Sequence, residues 1–255
     1  MDKAKAAANK ALELDPTLGD AHKALAFVQF LLEWKWREAE QSFRRAIELD
    51  PSRAETHSMY ALLLVTLGRL EEATEQIDTQ QRLDPLNRAL AESAVNLFYL
   101  AGDDERALAR FTETREFFGS STRPDEAIGM LHCERGRFDE GLALLEEARA
   151  LSSDGPDQLA SLAYGLALAG RSDEAREILA QLDQRARAGF VPPISLALAH
   201  IARGEKDEAF ASLERAYAMR WVTLPILAAR WPPFEPLRSD PRFEDLMRRL
   251  ALPVD

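Results

Sequence analysis

The chain has 255 residues, 46% of them hydrophobic and 29% charged, which is enough apolar content to bury a core. Its net charge of −11 argues against phosphate backbones and anionic membrane surfaces, which select clustered Lys and Arg, and its single cysteine, Cys133, leaves no intrachain disulfide. No apolar run approaches the ~20 residues of a bilayer span, and the start, Met1-Asp2-Lys3-Ala4-Lys5, lacks the apolar core of a signal peptide; a cytoplasmic chain with no membrane or nucleic-acid partner is expected.

In chain order, residues 3–14 read as a helix stopped by Asp15-Pro16, because proline disfavours helix in the residue before it and cannot extend the ladder itself. The same ending recurs at Leu49-Asp50-Pro51 and Leu83-Asp84-Pro85. Residues 1–18 are therefore read as the second helix of a repeat whose first helix lies upstream, and the chain as a piece of a longer protein. From Asp20 the helices pair as A and B: 20–33 with 36–49, 54–67 with 70–83, 88–101 with 104–118, 124–135 with 138–151, 156–169 with 172–187, and 192–203 with 206–219. Each carries a helical apolar stripe, as in Ala39, Phe43, Ala46 and Ile47, and none alternates like a strand.

A fixed period underlies the pairs. Glycines stand at 68, 102, 136, 170 and 204, each 34 residues from the last, with Trp34 in the same place in the first unit. Ala39, Ala73, Ala107, Gly141, Ala175 and Ala209 repeat on the same step, and so do the larger Phe43, Ile77, Phe111, Leu145, Leu179 and Leu213. Such a period means an array of stacked units and not a globule. Small residues on facing helices allow close approach. The fourth unit, with Gly129 opposite Gly141, is expected to be the closest packed and the loosest in hydrogen exchange.

The period fails after Met219. Residues 221–255 contain Pro225, Pro232, Pro233 and Pro236, which rules out one continuous helix and predicts a short helical piece near 222–229 in an irregular strap. Asp240-Pro241 then caps a helix of about 241–250 with Phe243, Leu246, Met247 and Leu250 on one face. Strap and helix are expected to cap the exposed end of the array; an exposed docking site at Trp221 and Trp231 is the alternative.

Catalytic signatures are missing from the sequence: no H-E-x-x-H, G-x-S-x-G, P-loop or G-x-G-x-x-G is present. His132 and Cys133 are adjacent, but neighbours on a helix point about 100° apart, so no thiolate–imidazolium pair is expected. Carboxylates cluster at the starts of B helices, where the helix dipole favours them. The chain is expected to be no enzyme and to need no cofactor or metal.

The pattern resembles the tetratricopeptide-repeat family. Ala39-x3-Phe43…Pro51 and Ala73-x3-Ile77…Pro85 are close matches, while Lys23, His57 and Leu159 stand where the family has a tryptophan. The resemblance spans residues 19–220 as six units and implies an all-α, right-handed solenoid of 34-residue helix-turn-helix repeats, closed by the C-terminal capping helix. A narrower resemblance, through Glu33–Ala46 and Glu235–Met247, is to the repeat regions that follow bacterial winged-helix activators, nucleotide cyclases and serine/threonine kinases. It implies a regulatory or scaffolding segment of a signalling or transcription protein.

In the family the A helices line a concave groove. The matching positions here include Glu55, Ser58, Leu62, Glu92, Asn96, Tyr99, Arg123, Met130 and Tyr164 as partner-binding candidates, with Asn96, Tyr99, Met130 and Tyr164 foremost. The carboxylate clamp of chaperone-binding members does not fit, because Glu92 takes the place of its lysine and Ala127 that of a later arginine. A protein or peptide partner with apolar anchors and some basic character is expected. Self-association through the apolar first-unit groove, and a small-ligand sensor controlling an absent effector, are the alternatives.

Overall fold

The computed structural model describes residues 2–252. Among them there is no strand, and the helices follow the predicted pairs closely. After α1 (Asp2–Leu14), unit one comprises α2 (Gly19–Phe27), running into a π-helical turn at Val28–Leu32, and α3 (Trp36–Leu49). The next units are α4 (Ala54–Thr66) with α5 (Leu70–Leu83), α6 (Arg88–Ala101) with α7 (Asp104–Phe118), and α8 (Thr122–Glu134) with α9 (Phe138–Leu151). The last two are α10 (Pro156–Leu168) with α11 (Ser172–Ala188), and α12 (Pro193–Arg203) with α13 (Lys206–Ala218).

Local chemistry explains the punctuation. Gly68, Gly102, Gly136, Gly170 and Gly204 all adopt φ between 73° and 76°, the left-handed conformation that ends helix A at no steric cost. At the B-to-A turns the Asp15 and Asp50 carboxylates accept from the amides of Thr17 and Ser52, at 2.8 and 3.2 Å. His22 and His57 then brace those turns, each donating Nε2–H to the carbonyl of Pro16 or Pro51 at 3.0 Å. Two of the four histidines are thus turn braces.

The small-residue pairs bring the helices together as expected. In unit four a Cβ on Gly141 would stand 2.7 Å from the Gly129 carbonyl oxygen and 2.5 Å from Cys133 Sγ, so neither space nor backbone freedom is left for a side chain. Along the array, successive A helices from α4 to α12 pack on one another, and each B helix from α3 to α9 leans on the next A. The A helices therefore form the inner layer and the B helices the outer one.

The C-terminal region departs from the simple end cap. It forms α14 (Leu224–Arg230), a 3-10 turn (Pro232–Phe234), α15 (Glu235–Arg238) and α16 (Pro241–Arg249). α16 packs on α13, and its buried Phe243, Met247 and Leu250 fall one 34-residue step beyond Ala209, Leu213 and Ala216. It is the B helix of a seventh unit whose A helix has been replaced by the strap. The strap turns inward: α14 lies against α4 and α6, and the 3-10 turn against α12. Leu224, Ala228 and Phe234 are completely buried, and Trp231 is only 9% exposed, packed edge-on to Phe234 at 5.1 Å. Trp221 is half-buried against Phe190. The exposed tryptophan pair that the sequence allowed is therefore not formed, because both indoles find aromatic neighbours within the fold.

The seventh unit also reaches the first. Trp36 Nε1 donates to the Leu250 carbonyl at 3.0 Å in a buried bond. Trp34 stacks on Tyr217 at 5.6 Å and carries the Arg220 guanidinium over its ring at 4.6 Å. The Trp34–Trp36 end of the first unit is covered in this way by the chain's own C-terminal region.

Candidate functional site

The inner layer is where the sequence placed a binding surface. Its A helices are joined by polar rungs between residues 35 apart, one step longer than the period: Ser58 with Ser93 at 3.1 Å, Tyr99 with Glu134 at 3.1 Å, and Glu126 with Ser161 at 2.5 Å. The extra residue carries each rung sideways from one A helix to its neighbour. Glu126 also accepts from Gln158 Nε2 at 2.7 Å, and Asp157 accepts from Ser195 Oγ.

The candidate residues divide into two groups. Glu55 and Arg123 are exposed, and Leu62, Glu92 and Asn96 are half-buried. Ser58, Tyr99, Met130 and Tyr164 are buried, at 7%, 4%, 1% and 7% exposure, so these four serve first as packing between A helices. Asn96 spends its amide on its own helix, donating to the Glu92 carbonyl at 2.9 Å, while the Glu92 carboxylate holds Arg88 at 2.7 Å. The structure brings Tyr99, Met130 and Tyr164 together on adjacent helices, and it leaves Glu55 and Leu62 at the strap-covered end.

Two features of this layer were not read from the sequence. One is the path of the strap, which no period announces. The other is Glu134, at the end of α8. It shares a stripe with Glu126 and Met130 at a spacing of four, which was readable, but only the fold reveals its burial. Burial pushes the Glu134 carboxyl up to about 7, against the opposing hydrogen bond from Tyr99. Burial likewise raises Glu126, and raises the Tyr99 and Tyr164 phenols with help from the Glu134 charge. Cys133 is pushed up to about 11 and His132 is lowered, both chiefly by burial. A protonated thiol beside a neutral imidazole has no nucleophilic activation.

Comparison with known proteins agrees with this architecture. The tetratricopeptide repeat model matches residues 54–79 and 157–181, which are unit two and most of unit five. The chain has the fold of a tetratricopeptide-repeat solenoid. A tetratricopeptide repeat protein from Parabacteroides merdae superimposes with a TM-score of 0.69 at 16% identity, over 97% of this chain and 91% of that one. PilF of Pseudomonas aeruginosa gives 0.57 at 18%, over 91% and 97%. YrrB, a tetratricopeptide protein with an unusual peptide-binding site, gives 0.50 at 17%, over 82% and 98%. No curated protein sequence matches the chain significantly. Tetratricopeptide solenoids are in general protein-interaction scaffolds, and among the described residues no helix is long and apolar enough to cross a membrane.

Proposed function

We propose that the chain is a non-enzymatic interaction module, the regulatory or scaffolding segment of a larger bacterial signalling or transcription protein, and that it docks a peptide or partner helix on its inner face. One observation carries this reading: the inner layer already holds a length of chain, its own strap, against α4, α6 and α12. The strap itself is no displaceable lid. Freeing Leu224, Ile226, Phe234 and Leu237, all less than 7% exposed, would cost roughly 6–12 kcal/mol at about 1.5–3 kcal/mol per large side chain. That is comparable with the whole stability of a domain. Docking therefore uses what the strap leaves, along α8 and α10, where Arg123 and Asp157 are exposed and Glu126 is half-buried. The peptide site of YrrB is a precedent at the level of fold. The resemblance of Glu33–Ala46 and Glu235–Met247 to regions attached to bacterial effectors supports the regulatory context.

A photo-crosslinking residue placed at Arg123 or Asp157, with Asp78 on the outer layer as control, tests the reading in cells. The expected result is the same discrete adduct from both inner positions and none from position 78. Equal capture at position 78, or no inner adduct, overturns it.

A further inference from the structure

We propose that the corner formed by Tyr99, Glu134 and Tyr164 takes up a basic side chain, arginine in the first place, from the segment that docks on the inner face. This rests on the docking reading above and names its chemistry. Glu134 accepts from the Tyr99 hydroxyl through Oε1 at 3.1 Å, while Oε2 is shielded from solvent and has no hydrogen-bond partner. Among the described residues no lysine, arginine or histidine pairs with it; the adjacent Arg135 is turned to Asp104 at 2.6 Å. Tyr164 of α10, 7% exposed, lies within the field of the same carboxylate, and its hydroxyl has no protein partner among the described residues.

The corner thus holds one carboxylate with an unpaired, solvent-shielded oxygen and two phenols, one of them unspent, and the nearest guanidinium, that of Arg135, is held by Asp104. A buried carboxylate with an unused oxygen is costly unless it is neutralised or paired. A guanidinium answers every feature at once: its forked N–H groups suit the unpaired oxygen once a small shift of the Tyr164 ring admits them, and its flat face suits a phenol ring. Burial also raises the Glu134 carboxyl, the direction expected of a carboxylate without a full partner. Glu126 and Met130 extend the stripe along α8, with Glu126 about 12 Å from Glu134 along the helix axis. Metal binding does not fit, because no group of three or more potential ligands converges among the described residues.

The test is a titration of the full chain with N-acetylarginine amide, and with N-acetylnorleucine amide as control, followed by NMR of the Glu134 carboxyl carbon and the Tyr99 and Tyr164 rings. The expected result is a saturable shift confined to these three residues with arginine only. It should be accompanied by a fall in the Glu134 pKa of about one unit or more. Glu134→Gln, an isosteric change, should weaken the interaction about tenfold or more, and Tyr164→Phe by a smaller factor. Unmoved resonances, equal shifts with norleucine, or full binding by Glu134→Gln overturn the proposal. If inner-face crosslinking succeeds while these resonances do not move, docking stands and the arginine assignment falls.

Discussion

Glu134 and Trp34 show how single residues carry the consequences of this architecture. A free glutamate titrates near 4.3, whereas in the fold Glu134 holds its proton up to about 7. Between those values the folded chain keeps a proton that the unfolded chain has released. The group's contribution to stability is therefore full below the unfolded value and is lost as pH rises through the folded one. The loss amounts to about 1–3 kcal/mol, discounted because Glu134 is only partly buried. Urea unfolding at pH 5 and pH 8 should show this decline in the parent chain, and Glu134→Gln should flatten it; an unchanged slope would mean the carboxyl is ionised throughout. Trp34 is a different kind of exception. It stands in the glycine place of unit one with φ 57°, and its stacking partner Arg220 has φ 50°. Two strained residues hold each other, and such strain persists only where surrounding contacts over-determine it. The break in the glycine series was readable at once, but its cause is a residue 186 positions later, which no local pattern announces.

Among the elements, the fourth hairpin is the one whose packing the residue types express most directly. Gly129 and Gly141 cost about 1 kcal/mol each in helix propensity relative to alanine, so Gly141→Ala would stabilise an isolated helix. In the fold the new Cβ would meet the Gly129 carbonyl at 2.7 Å and the Cys133 amide nitrogen at 2.9 Å, and backbone cannot step aside as a side-chain tip can. The prediction is a net loss of about 1–3 kcal/mol by thermal or urea unfolding, and a gain would show that the helices can part freely. Ala107→Gly, the reverse change in the preceding unit, should cost only the propensity term of about 1 kcal/mol plus a small cavity. The helices, their ends and the face of α16 were legible because they follow local rules: period, caps, and small opposite small. Asp240 caps α16 as its position before Pro241 suggested, accepting from the Arg242 amide at 3.0 Å. The path of the strap was not legible. Its prolines state where helix stops but not which surface Leu224 and Phe234 will find. The burial of Tyr99, Met130 and Tyr164 was hidden for a related reason: groove positions carried over from an open array do not show how closely neighbouring A helices stand here.

At the scale of the whole molecule, contact between the first and seventh units changes what kind of array this is. A linear solenoid is coupled only between neighbours, so its ends fray independently of each other. Here the Trp36 indole donates to the Leu250 carbonyl, Arg220 donates to the Glu33 carbonyl at 3.4 Å, and Trp34 packs on Tyr217 at 5.6 Å. The ends are therefore each other's neighbours, and their opening should be one event. Trp36→Phe keeps the ring against Phe30, 6.0 Å away, but leaves the buried Leu250 carbonyl unpaired. That should cost about 1–3 kcal/mol, and the loss should fall on both ends at once. Amide exchange read along the chain measures this. Trp36→Phe should speed exchange in α3 and in α16 by the same factor while leaving α8 and α9 unchanged. Acceleration confined to α3 would mean that the two ends merely touch and that the array still frays as an open line. Shared acceleration would make closure a structural element in its own right, one that holds the strap against the inner layer and so sets how much of α8 and α10 is left for a partner.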